Sequence, residues 1–228
     1  MTRRFRDRAQ AGELLAGMLA GRAGAPGLLV LALPRGGVPV AVPVARRLGA
    51  ALDVLTVRKL GVPGHEELAM GAIASGGVRV LNPGVVGALQ VPDDIVERVA
   101  AREQGELARR ECAYRGDRPA PVLGDRDVVL VDDGIATGST MRSAVAVLRA
   151  QRARRVTVAA PVIAAATVGE MRGVADEVVF VIDPGDFEAV GKWYEDFTQT
   201  SDEEVLRLLA CAAKGGDPAP GLRPPRSG

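Results

Sequence analysis

The chain has 228 residues, 47% hydrophobic and 25% charged, with a formal net charge of +1, which suits one α/β domain with additions, or two small ones, and a sizeable core. The near-neutral charge argues against nucleic acid or an anionic membrane as partner, and no apolar run approaches the ~20 residues of a membrane span. Two cysteines, Cys112 and Cys211, are too few for a disulfide framework and suit a reducing, cytoplasmic compartment.

The Arg-rich start, residues 2–8, could suggest a transit peptide. Leu14, Leu15, Met18 and Leu19 instead predict a first helix of the fold. A strand follows at 28–33, then Leu33-Pro34-Arg35-Gly36-Gly37, then a helical pattern over 37–48. A strand that ends in Arg-Gly-Gly before a helix is a weak anion-cradle signal. Pro39 fits a first helical turn; Pro43 is expected to distort that helix. A second strand over 54–57 ends at Arg58 and Lys59. For either residue alone, a solvated strand end is as good a reading as a functional one. Only Lys59, Lys192 and Lys214 are lysines in this Arg-rich chain.

Residues 61–125 do not fit a single crossover and read as an insertion beside the mouth of a site. The Gly-rich stretch 71–77 predicts a hairpin or a mobile loop. Residues 94–114 predict a charged helix, with Glu106–Arg110 and Glu111–Arg115 at i,i+4 spacing. His65 is the only histidine, with Glu66 and Glu67 beside it.

Residues 128–140 read Val-Val-Leu-Val-Asp-Asp-Gly-Ile-Ala-Thr-Gly-Ser-Thr. Four apolar residues predict a buried strand, two acids sit at its carboxyl end, and a small, hydroxyl-rich loop opens a helix over 140–151. Backbone N–H groups and the helix dipole favour an anion there, and glycine lets a phosphate approach closely. Acceptors beside a phosphate cradle suit a ligand with vicinal hydroxyls, such as a ribose 5-phosphate. Further strands are expected at 156–161 and 178–182, with a helix at 164–174 between them. Strand–helix alternation predicts an α/β fold, a parallel sheet with helices on both faces. Ligands bind such sheets at the carboxyl ends of strands, where Arg35 and Asp132 both fall.

Residues 184–197 gather Phe187, Trp193, Tyr194 and Phe197 in a chain that is 3% aromatic. This cluster is either a small satellite core or a lid on which a flat base stacks. Residues 215–228, rich in Gly, Pro and Arg, read as a disordered tail to a single domain over 1–214.

The string at 128–140, with Arg35-Gly36-Gly37 earlier in the chain, resembles the 5-phosphoribosyl-1-diphosphate (PRPP) site of the type I phosphoribosyltransferases. The resemblance implies that Asp132 and Asp133 hold the ribose hydroxyls. It implies that Ile135, Ala136, Thr137, Gly138, Ser139 and Thr140 bind the 5-phosphate. Gly134 departs from the family, which usually has an aliphatic residue there. Arg35, Gly36 and Gly37 resemble the diphosphate loop, in which family members often hold a cis peptide, so the Pro34–Arg35 bond is a candidate. Lys59 would meet or close over the diphosphate, and Glu67 is the candidate loop acid. The aromatic cluster resembles the hood of purine enzymes, with Phe187 and Trp193 as base-stacking candidates. Glu195, or Asp196 if the register slips, is the candidate carboxylate for Mg2+, which enters mainly through PRPP.

The implied chemistry is displacement of diphosphate from PRPP by a nitrogenous base or similar acceptor, in a homodimer serving nucleotide salvage. Family members acting on 6-oxopurines place an Asp where this chain has Ala136, and a Lys near 158–162, where it has none. Both absences count against hypoxanthine and guanine and leave adenine open. Some relatives keep the PRPP site as non-catalytic regulators or accessory proteins, which is the alternative reading.

Overall fold

The computed structural model describes residues 4–115 and 120–215. Its centre is a five-stranded parallel sheet of β1 (Leu29–Ala32), β2 (Ala51–Val54), β6 (Asp127–Val131), β7 (Arg155–Val162) and β8 (Glu177–Ile182). The strand order is β2-β1-β6-β7-β8. Strands buried on both faces read as continuous apolar runs rather than as alternation. In β1, Leu29 and Leu31 face one helix layer, while Val30 and Ala32 face the other. The first layer is α5 (Ser139–Ala150) and α6 (Ala165–Val174), which contribute Met141, Leu148 and Met171. The second is α1 (Arg8–Met18), α2 (Gly37–Leu48) and α7 (Asp202–Gly215), which contribute Leu15, Val44 and Val205.

The insertion holds β3 (Val57–Val62), β4 (His65–Ala74) and β5 (Val78–Leu81) in an antiparallel sheet, then α3 (Pro83–Ala88) and α4 (Asp93–Arg115). One face of this small sheet joins the α5 core through Val57, Ala72 and Val80. Its other face packs Leu60, Met70 and Ile73 under Val96, Val99 and Leu107 of α4. The insertion is therefore a sheet capped by helices, not only a helical segment.

Other elements also depart from expectation. The run 54–57 is not one strand: β2 ends at Val54 and β3 begins at Val57. The Gly-rich stretch is the end of β4 and its hairpin turn, where Gly76 and Gly77 take positive φ (+80° and +75°). Pro43 lies inside an unbroken α2. There α1 crosses so closely that a Cβ on Gly12 would fall 2.5 Å from Pro43 Cγ and 2.4 Å from Val40 O. Burial of Pro43 against α1 offsets its one missing N–H. In α1 the expected apolar stripe is only half used, with Leu15 and Leu19 buried and Leu14 and Met18 exposed. Helix α7 extends to Gly215, where a tail was expected; the rest of that tail, 216–228, lies outside the described residues.

Candidate active site

The carboxyl ends of β1 and β6 lie side by side, with Ala32 in register with Val131. Leu33 N donates to Val131 O at 2.9 Å, carrying the pairing one residue past β1. The Pro34–Arg35 peptide is cis. Gly36 and Gly37 then press directly on the two acids. A Cβ on Gly36 would sit 2.1 Å from Asp133 Oδ2, and one on Gly37 would sit 2.7 Å from Val131 O. No side chain fits in either gap. Arg35 turns its guanidinium toward Asp202, at 3.8 Å, in the first turn of α7.

The loop after β6 is fixed from beneath. Ile135 N donates to Val162 O and Ala164 N to Ile135 O, both at 2.9 Å. Thr167 Oγ1 donates to Ala136 O at 2.6 Å. Gly138, at φ +70°, precedes α5, and a Cβ there would strike Met171 Cε at 2.8 Å. These anchors leave Thr137 and Thr140 exposed at the rim, beside the start of α5, whose first-turn N–H groups have no partner within the helix. Between them lies a pocket of about 180 Å³, bounded by Asp132, residues 134–141 and Val190. Val190 also accounts for Gly134, since a Cβ there would lie 2.4 Å from Val190 Cγ1. The space that an aliphatic side chain would take at position 134 is filled from the C-terminal segment.

The two acids have different surroundings. Asp132 lines the pocket, and its Oδ1 accepts from Asp133 N at 2.9 Å. Burial pushes its pKa well above the usual carboxylate value, and the neighbouring Asp133 charge adds to the rise. Asp133 is also raised by burial, but the hydrogen bond and charge of Arg8 pull against the rise. Arg8 Nε donates to Asp133 Oδ2 at 2.8 Å.

The sequence pattern of the phosphoribosyl transferase domain matches residues 9–194. The chain belongs to the type I phosphoribosyltransferase family. A Mycobacterium tuberculosis (strain H37Rv) protein, Rv0571c, provisionally named a phosphoribosyl transferase, is 48% identical to this chain over 205 residues. The match covers 90% of the chain and 46% of that protein, so the chain spans about half the length of the curated relatives it matches. The crystal structure of TT1426 from Thermus thermophilus is 48% identical and superposes with a TM-score of 0.84, covering 90% of this chain and 97% of that one.

The remaining residues expected from the sequence are spread around this centre. Lys59 lies on β3 and borders a second, larger cavity of about 350 Å³. That cavity meets the first at Thr140, which lines both. Buried Glu103 of α4 braces its wall by pairing with Arg58 Nη2 at 2.7 Å and Arg102 Nη2 at 3.1 Å. Glu67 falls on β4, and its side chain lies outside the described residues.

Phe187 and Trp193 pack on a satellite cluster with Phe5, Val162 and Tyr194. Trp193 Nε1 is buried without a hydrogen-bond partner. From the segment 184–197, Val190 borders the pocket at the loop 134–141. Glu195 is exposed, and Asp196 Oδ1 accepts from Thr198 N and Oγ1, capping a local turn. Among the described residues no three His, Cys, Asp or Glu side chains cluster closely enough to cage a metal ion.

Sequence reasoning missed Arg8, Val190 and Glu103. For Glu103 a signal existed: it shares one helical stripe with Val96, Val99 and Leu107, so an acid interrupts an apolar face. For Arg8 there was none, because its partner is 125 residues away.

Proposed function

We propose that this protein transfers the 5-phosphoribosyl group of PRPP to a nitrogenous base or similar acceptor, other than a 6-oxopurine, and releases diphosphate. The observation that carries this reading is the contact of two strand-end loops. Gly36 and Gly37 lie against Asp132 and Asp133 too closely for any Cβ, above a pocket walled by the loop 134–141.

In this reading the α5 N-terminus, with Thr137, Gly138, Ser139 and Thr140, holds the 5-phosphate. Ile135 and Ala136 supply loop backbone. Asp132 and Asp133 accept from the ribose hydroxyls, and Arg35, Gly36 and Gly37 receive the diphosphate. Lys59 and Glu67 act at its outer side. Carboxylates with raised pKa values fit a site that meets hydroxyl donors, which compensate buried negative charge. The chain's work is positioning, charge stabilisation and exclusion of water around an oxocarbenium-like transition state. Mg2+, when bound, neutralises charge on the departing diphosphate. In this reading the ion is carried chiefly by PRPP oxygens, with Glu195 the hood carboxylate that would meet it. Ala136 at the pocket, and Val162 at the end of β7, leave a 6-oxopurine without its acid and its Lys. Phe187 and Trp193 remain the base platform in this reading. A cytoplasmic homodimer serving nucleotide salvage completes the proposal.

One observation favours a second reading, a PRPP-binding regulator. Phe187 and Trp193 turn into the satellite cluster and do not border the phosphate-loop pocket. Calorimetric titration of PRPP with Mg2+, repeated with each nucleobase, separates the two. Binding with diphosphate release for one base supports the transferase and identifies the acceptor. Binding without turnover favours the regulator, and no binding refutes both.

A further inference from the structure

Asp133 is the meeting point of three segments far apart in sequence. Its Oδ2 faces the diphosphate loop at Gly36 and accepts from Arg8 Nε. Its backbone carbonyl accepts from the Tyr194 hydroxyl of the hood. Arg8 is held on three sides: Nε to Asp133, Nη1 to Thr198 O at 2.8 Å, and Cζ 3.9 Å above the Phe197 ring centroid. The ion pair is largely out of water, with the two side chains 11% and 15% exposed. The backbone before Arg8 is stitched to the hood as well. Phe5 N donates to Trp193 O, Glu195 N to Phe5 O, and Asp196 N to Arg6 O, at 2.8, 2.8 and 2.9 Å.

We propose that Arg8 is a positioning residue of the PRPP site: it clamps the Asp133 carboxylate between hood and diphosphate loop and so presents the Asp132–Asp133 pair to the ribose hydroxyls. The proposal rests on the PRPP-binding reading above. It makes the N-terminal segment a working part of the site. Two adjacent carboxylates repel, and without a cation Asp133 either takes up a proton or swings toward water, and the Gly36 contact goes with it. A guanidinium suits the place because one planar group can donate to a carboxylate and a carbonyl while its face covers a ring. Lysine supplies the charge alone.

The test is PRPP affinity, by calorimetry with Mg2+, for Arg8→Gln, Arg8→Lys, Phe197→Ala, Asp133→Asn and the Arg8→Gln/Asp133→Asn double variant. Arg8→Gln is expected to weaken PRPP by about tenfold or more, with part of the loss restored in Arg8→Lys. Phe197→Ala, which removes only the ring under the guanidinium, costs about threefold. The double variant binds no more weakly than Asp133→Asn, because Arg8 acts through that carboxylate. If Arg8→Gln does not fold, the double variant, which removes both buried charges, carries the comparison with Asp133→Asn. Affinity within twofold of wild type in Arg8→Gln overturns the proposal. So does a double variant about tenfold weaker than Asp133→Asn, or a loss that follows thermal stability without rescue by Lys. Wild-type protein that fails to bind PRPP overturns the PRPP reading itself, whereas normal wild-type binding with an indifferent Arg8→Gln overturns only the role of Arg8.

Discussion

At the end of β6, Asp132 and Asp133 are held out of water beside each other, and burial raises both pKa values. Along α4, Glu106 stands partly exposed between Arg109 and Arg110, whose hydrogen bonds at 2.9 and 2.8 Å hold it down to about 2. The same carboxyl group is shifted in opposite directions by its surroundings. Burial beside a like charge works against folding, so a fold that keeps such a pair has a use for it, most often a ligand. An exposed acid between arginines makes a solvated helix face and contributes little. The contrast separates a site from a surface on physical grounds, and it can be tested from both ends.

The largest effect is expected at Gly36. A methyl there would meet Asp133 Oδ2 at 2.1 Å and Cγ at 2.7 Å. Gly36→Ala therefore drives the carboxylate off Arg8 or moves the whole loop that carries Arg35, Gly36 and Gly37. The expected cost is about 2–4 kcal/mol by denaturant unfolding, with loss of PRPP binding. Gly17 of α1 has nothing within 4 Å of its Cβ position. Gly17→Ala serves as the control, neutral or slightly stabilising. Equal behaviour of the two variants would show that the loop has slack.

Asp132→Asn sharpens the contrast through pH. The folded-state pKa of Asp132 is raised above the ordinary value of 3.8, so the folded protein keeps this proton to higher pH than the unfolded chain. Wild-type stability attributable to this group is therefore greatest in acid and declines as pH rises from about 4 through the raised pKa. Asparagine removes the decline. The measurement is urea unfolding across pH 4 to 8 for both proteins, read as their difference, since acids with lowered pKa values such as Asp7 and Asp127 contribute the opposite slope to each. Asp132→Asn is expected to unfold at higher urea than wild type at pH 7 and to lose that advantage toward pH 4. A constant difference would mean that Asp132 is not desolvated.

What the sequence revealed and what it concealed follow from the range of the forces involved. Helix α2 is legible to its ends because Gly37 follows an Arg-Gly turn and Gly49 supplies a left-handed cap at φ +63°. The β6 strand, its two acids and the α5 start are legible for the same reason: each element's signal lies within a dozen residues. The break between β2 and β3 is not. Val-Leu-Thr-Val is uniformly β-prone, and only tertiary pairing divides it, with Leu55 N bonded back to Ala32 O and Thr56 O accepting from Ser75 N. The Arg8–Asp133 pair is concealed for a related reason, since no local pattern assigns an arginine to a carboxylate so distant in the chain. Gly134 could be seen as an anomaly, but Val190, which explains it, could not.

The smallest effect belongs at the other end of the contrast. Glu106→Ala removes the acid that both Arg109 and Arg110 donate to. Its lowered pKa means that its contribution is fully present above the ordinary value of 4.5 and disappears only as pH falls through about 2. At pH 7 the contribution is therefore complete, and it is still expected to be slight, because water and salt screen an exposed pair and alanine favours the helix. The melting temperature should stay within about 2 °C of wild type, and added salt should narrow the gap further. A fall of many degrees would mean that α4 is anchored through its outer face. The reading of α4 as a solvated cover, whose hold on the protein comes from Val96, Val99 and Leu107 beneath it, would then be wrong, and with it the use of pKa direction to tell surface from site.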